Sequence, residues 1–208
     1  HPVVGRFDAN TTKDGSLLLL PGSRATEIRR LLPLFLQASQ DHDPLSNRVI
    51  VTLARHLELV NELAAGHSNI RIVTADHDKK QAYEQASLAL AASGTVTLEL
   101  AMANTPMVVA YRVDPLSAMI ARRLVLVRYV SLVNLILDKN VVPELLQENC
   151  TMENLSHALS RLKTGDATRQ QEEFAKLRVL LREKENPAAL AAGQVASAID
   201  HQRLSMGK

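Results

Sequence analysis

The sequence predicts an α/β fold, a doubly wound parallel sheet followed by a helical C-terminal extension. Three observations carry that expectation. Between Ser16 and Tyr111, short apolar runs alternate with amphipathic stretches across short polar connections, the rhythm of repeated strand-helix-strand units. Aromatic residues make up 3% of the chain and tryptophan is absent. Leu, Val and Ala must therefore fill the interior, which suits helices on a parallel sheet better than an aromatic-rich sandwich. After Pro115 the pattern changes and becomes mostly helical.

Taken in order, SLLLL (16–20) reads as a buried strand ended by Pro21-Gly22. A helix follows over 24–39, with apolar Ile28, Leu31, Leu32, Phe35 and Leu36 near helical spacing. Pro33 inside it should introduce a kink. Next come a strand (48–53), a helix (56–65) closed by Gly66, a strand (69–74) and a polar helix (78–86). A strand (88–92), a helix (96–103) and a strand (106–111) complete the alternation. Beyond it, 115–127 reads as a basic amphipathic helix, 129–137 as an apolar stretch and 143–147 as a short helix. Helices are expected over 151–163, 168–184 and 187–204, with Thr164-Gly165-Asp166 breaking the first from the second.

With 208 residues the chain suits one large domain or two small ones. A net charge of +2 gives no case for a nucleic-acid partner. The single cysteine, Cys150, excludes an intrachain disulfide and any multi-cysteine zinc site, and fits a reducing compartment. The most apolar run, 124–138, is cut by Arg128 and Asn134 and falls short of a membrane span. No signal peptide is read, and His1 in place of Met leads us to expect a piece of a longer chain.

Two loops have chemistry suited to an anion. In open parallel sheets, ligands sit beyond the carboxyl ends of the strands. PGSR (Pro21–Arg24) lies at such an end: Gly22 admits close backbone approach, Ser23 could cap the helix, and Arg24 offers a charge-assisted contact. A tight turn with Ser23 as N-cap accounts for it equally well. ASGT (Ala92–Thr95) lies at another, with Gly94 between the hydroxyls of Ser93 and Thr95. Glu99 follows one turn along the same helix face, placed for two vicinal ribose hydroxyls rather than for phosphate. Neither loop is a Walker A or GxGxxG motif, so neither ATPase activity nor NAD binding is supported. The histidines at 42, 56, 67, 77 and 157 read as loop or helix positions, and none is a compelling general base.

These stretches, with PMVVAYR (106–112), YVSLVNL (129–135) and PELLQ (143–147), resemble the C-terminal half of the lipid-A-disaccharide synthases, inverting glycosyltransferases of lipopolysaccharide biosynthesis. HPVVGRFDA at the start resembles that family's interdomain crossing. The resemblance implies a GT-B arrangement of two Rossmann-like domains. Residues 1–150 would form the UDP-binding domain and 151–208 a helical extension, with the N-terminal domain and its catalytic base absent. It implies transfer of diacylglucosamine from UDP-2,3-diacylglucosamine to 2,3-diacylglucosamine 1-phosphate, releasing UDP without a metal or other cofactor. Carried over by motif, the donor site comprises Ser23, Arg24, Glu27, Ser93, Gly94, Thr95, Glu99, Asn134, Glu144 and Gln147. Val133 stands where the family often has proline, which would loosen the loop that presents Asn134.

Acylated substrates imply a cytoplasmic enzyme peripheral to the inner membrane. Arg122, Arg123 and Arg128 among apolar neighbours suit anionic headgroups, and equally an ordinary solvated helix face. The last helices offer an apolar stripe for a homodimer contact. Alternatives are the UDP-binding half of a UDP-GlcNAc 2-epimerase or of the muramyl-pathway GlcNAc transferase, or a non-catalytic nucleotide-binding module. By itself the chain is expected to bind UDP and to be inactive as a transferase.

Overall fold

A computed structural model describes residue 3 and residues 5–43, 47–112 and 128–183. Six short strands form its centre: β1 (Leu17–Leu20), β2 (Arg48–Val51), β3 (Ile70–Val73), β4 (Leu88–Ala92), β5 (Met107–Tyr111) and β6 (Glu144–Leu146). Every pairing is parallel, in the order β3-β2-β1-β4-β5-β6. The helices are α1 (Ala25–His42), α2 (Leu57–Ala64), α3 (Asp76–Gln85), α4 (Val96–Met102), α5 (Leu132–Leu137), α6 (Met152–Arg161) and α7 (Ala167–Glu183). The doubly wound parallel sheet read from the sequence is present.

The strand pleat divides the core. Leu17, Leu19, Ile50, Leu90 and Val108 face one side, where Ile28, Leu31, Leu32, Phe35 and Leu36 of α1 and Leu155 and Leu159 of α6 cover them. Leu18, Leu20, Val49, Val51, Ala89 and Val109 face the other, against Leu98 of α4, Val133 and Ile136 of α5, and Phe174, Leu177 and Leu181 of α7. With both faces covered, the strands are apolar throughout rather than alternating. Alanine at 89, 91 and 92 lets the helices lie close to β4.

Residues 143–147 are not the short helix that their composition suggests. Glu144–Leu146 form an edge strand in register with Val109–Tyr111, followed by a 3-10 turn, Gln147–Asn149. The physical reason is β5, whose outer backbone groups need partners. Val109 N–H donates to Pro143 O at 2.9 Å, where the register begins. Pro33 lies within α1, which continues through it as one element. The break at 164–166 is a wide turn over Leu162–Asp166 in which Gly165 takes a φ of 138°. Thr151 caps α6 through its side chain, accepting from Asn154 N–H. The helices expected over 115–127 and 187–204 lie outside the described residues, and so do Arg122 and Arg123. Among the described residues, no helix is long and apolar enough to cross a membrane.

Two side chains tie distant elements together. Gln170 of α7, buried against the sheet, accepts from Met107 N–H at 2.8 Å and donates to Met107 O at 3.0 Å, supplying what a missing strand neighbour would. Lys13 donates to Glu84 O, Ala103 O and Thr105 Oγ1, and burial pushes its pKa down to about 8. It fastens the N-terminal strap, residues 5–14, to the ends of α3 and α4. Gln170→Leu would strand both Met107 groups. Thermal and urea unfolding should show a loss of about 2–4 kcal/mol.

Candidate functional site

The strand order fixes where a ligand can sit. From β1 the chain winds outward through β2 and β3, then returns to place β4 on β1's other side. Because α1 covers one face and α4 the other, the loops that follow β1 and β4 part company. A crevice of about 560 Å³ opens between them, at the switch point where doubly wound sheets hold ligands. Its walls include Gly22, Ser23, Arg24 and Glu27 from the first loop and helix, and Ser93, Gly94, Thr95 and Glu99 from the second. Seven of the ten residues expected at the site are thereby brought together; Asn134, Glu144 and Gln147 do not line it.

The first loop is held by a carboxylate rather than by Ser23. Glu27 Oε2 accepts the N–H groups of Ser23 and Arg24 at 3.0 and 3.2 Å, while Oε1 pairs with the Arg24 guanidinium at 2.9 Å. Arg24, not Ser23, is the N-cap of α1. The Ser23 and Arg24 amides are therefore engaged by an internal anion, a negative charge at the positive end of the helix. Gly22 is required here. Its φ of 111° disfavours other residues, and a Cβ would collide with the Glu27 carboxylate and come within 2.8 Å of its Cβ. Arg55 and His56 flank the turn, each with a ring or guanidinium nitrogen within 3.3 Å of Ser23 O.

The second loop is open. Ser93 N–H donates to Ala110 O, extending the sheet, and Ser93 Oγ donates to Val130 O at 2.9 Å. A Cβ at Gly94 would meet nothing within 4 Å, so the backbone is bare toward the crevice. Thr97 and Leu98 N–H find acceptors on Gly94 O and Thr95 O, whereas the preceding amides are helix-start donors of the kind that hold phosphate. Glu99 lies one turn further in, with 28% of its side chain exposed. Burial pushes its pKa above the ordinary carboxylate value, and Arg6, 3.7 Å away, acts against that shift.

Asn134 and Glu144 serve the crevice from behind. Asn134 is fully buried. Its Oδ1 accepts Val141 and Val142 N–H, and its Nδ2 donates to Val142 O and Glu144 Oε1. Glu144 in turn accepts Val130 and Ser131 N–H, both at 2.9 Å. Since Val130 O receives Ser93 Oγ, this network ends on the ASGT loop. Gln147 sits at the same carboxyl edge of the sheet, beyond β6, with a φ of 50°.

Sequence reasoning missed the far wall. Asp76, Lys79, Lys80 and Tyr83 of α3, Thr52 after β2, and Arg6 and Phe7 of the strap also line the crevice. The Thr52 hydroxyl is buried without a hydrogen-bond partner among the described residues. The signal for α3 was available: a helix after a parallel strand must start at the ligand-bearing edge, which puts the lysines there. No local pattern marks Arg6 and Phe7, because they arrive by a long-range contact. Among the described residues, no group of three or more His, Cys, Asp or Glu could hold a metal ion.

The sequence model described as lipid-A-disaccharide synthetase matches residues 7–199. The chain belongs to that family. It is 38% identical over 199 residues to a lipid-A-disaccharide synthase of Nitrobacter winogradskyi, covering 92% of this chain and 50% of that protein. To the lipid-A-disaccharide synthase of Rhodospirillum centenum it is 42% identical over 160 residues, 75% of this chain and 40% of the relative. The chain thus spans half or less of these family members. Among solved structures it is similar to a TarM variant of S. aureus in complex with Fondaparinux, alpha-GlcNAc-glycerol and UDP, with a TM-score of 0.61 at 12% identity, over 94% of this chain and 38% of that one. It is also similar to WaaG, a glycosyltransferase involved in lipopolysaccharide biosynthesis, with a TM-score of 0.51 at 18% identity, over 88% and 47%. At such identities the likeness is one of fold.

Removing Asn134 should damage the frame behind the crevice rather than the crevice wall itself. Asn134→Ala leaves two buried amides and the Glu144 carboxylate short of partners. The expected cost is about 2–4 kcal/mol in denaturant unfolding.

Proposed function

We propose that this chain is the UDP-donor half of a lipid-A-disaccharide synthase, holding UDP-2,3-diacylglucosamine while its sugar passes to 2,3-diacylglucosamine 1-phosphate. The single observation that carries the reading is the crevice between the PGSR and ASGT loops in a chain of this family. In it the Gly94–Val96 amides and the Arg24 guanidinium take the diphosphate. Glu27 fixes the turn that presents Arg24. Glu99 accepts from the two ribose hydroxyls, and Asn134 and Glu144 hold the ASGT loop in place through Val130. Gln147 lies on the same edge, where the acylated sugar would leave the crevice.

The chemistry follows from charge. As the acceptor hydroxyl attacks the anomeric carbon, negative charge develops on the departing diphosphate, and fixed dipoles with Arg24 stabilise it. The hydroxyl's proton needs a general base, which we assign to the part of the relatives that this chain does not match. Acyl chains on donor and acceptor bring the enzyme to the cytoplasmic surface of the inner membrane as a peripheral protein, and the C-terminal helices supply a homodimer contact.

Titration calorimetry tests the donor site. The 208-residue chain should bind UDP and show no transferase turnover. Arg24→Ala and Glu99→Gln should each weaken binding about tenfold or more, ~1.4 kcal/mol. Unchanged affinity in both variants would remove the assignment. Glu99→Gln carries a second expectation. A carboxylate whose folded pKa is raised contributes stability below its ordinary pKa and loses it as pH rises through the folded value. At neutral pH the glutamine variant should therefore melt no lower than the wild type, while binding less UDP.

A further inference from the structure

The strap brings one cation to the crevice whose place the fold alone does not explain. Arg6 lies half-exposed on the crevice wall, and its guanidinium stands 3.7 Å from Glu99 Oε1. Its position is set from beneath. The guanidinium rests over the Phe7 ring at 5.7 Å, and that ring stacks on Tyr83 with centroids 6.0 Å apart. Asp8 N–H donates to Glu84 at 2.7 Å, and Lys13 anchors the end of the strap. A surface ion pair of this length contributes little to stability, yet several contacts from two elements hold the strap that carries it.

We infer that Arg6 is a positioning residue for the bound nucleotide, holding the Glu99 carboxylate in the crevice for the ribose hydroxyls. The inference rests on the nucleotide reading of the crevice. Glu99 is the only carboxylate on α4 among the residues lining the crevice, and it can accept from both hydroxyls only while ionised. Burial works against that charge. The groups that face it are Arg6 from the strap and Asp76, Lys79 and Tyr83 from α3. Asp76 opposes the charge, and Lys79 is already engaged by Asp76 at 3.1 Å. Arg6 is thus the strongest support the carboxylate has, and it comes from a segment distant in sequence.

The consequence is a pH dependence with a definite sign. Glu99 must lose its proton to bind ribose, so affinity falls as pH drops through its raised pKa. Without Arg6 that pKa rises further, and affinity is lost at higher pH. Calorimetric titrations with UDP and with uridine, from about pH 5 to 8, should compare wild type, Arg6→Ala and Arg6→Lys. Arg6→Ala should bind both ligands about tenfold more weakly at the acid end of the range, with the gap narrowing as pH rises. Arg6→Lys should recover much of the loss.

Coincident wild-type and Arg6→Ala curves at every pH would overturn the inference while leaving UDP binding intact. A loss confined to UDP, with uridine unaffected, would overturn it too, because Arg6 would then be reading the diphosphate. A wild-type chain that binds no UDP overturns the nucleotide reading and this inference with it.

Discussion

The pairing of β1 with β4 is the constraint on which the rest of the structure depends. Leu17 to Leu20 lie in parallel register with Leu88 to Ala91, and the helices that follow the two strands cover opposite faces. Two loops leaving adjacent strands in opposite directions cannot fill the space between them. The crevice is a by-product of winding direction, and Leu20 and Ala92, the last residues of the two strands, line it between the loops. Charge then distinguishes the walls: Glu27 closes the first helix start with an internal anion, whereas the second is left open.

A buried polar frame keeps that opening in shape. Asn134 uses all four of its hydrogen-bonding positions, Glu144 takes two further amides, and the chain of contacts reaches Ser93 through Val130. In an apolar interior a fully satisfied network of this kind enforces one geometry, since any partner left unpaired carries a desolvation cost. Asn134 and Glu144, two of the residues that the family resemblance placed in the donor site, thus stand behind the crevice wall. They act on it by fixing a loop rather than by lining it.

Much of this was legible in the sequence. Apolar runs of four or five residues bounded by Pro-Gly or Ser-Gly announce buried parallel strands, and Ile28 to Leu36 show the face that α1 buries. The pairs Gly22/Arg24 and Gly94/Glu99 marked the crevice because strand ends, glycine and a charged residue coincide. Three things were not legible. Glu144 to Leu146 is too short for periodicity to separate strand from helix, and only the open edge of β5 decides it. Glu27 as the cap of its own helix depends on rotamer geometry that the letters do not carry. Arg6 reaches Glu99 through the tertiary path of the strap, which no local window contains.

The proposed donor site puts a nucleotide diphosphate at the β1–β4 switch point, with the Glu99 carboxylate at the ribose end. Backbone amide spectra of the isotope-labelled chain during a UDP titration would test that placement most directly. The account predicts the largest shifts at Gly22 to Arg24 and Gly94 to Val96, with Glu99 following. Perturbations centred on the opposite edge of the sheet, around Asn47 and Asn69, with those amides unmoved, would contradict it.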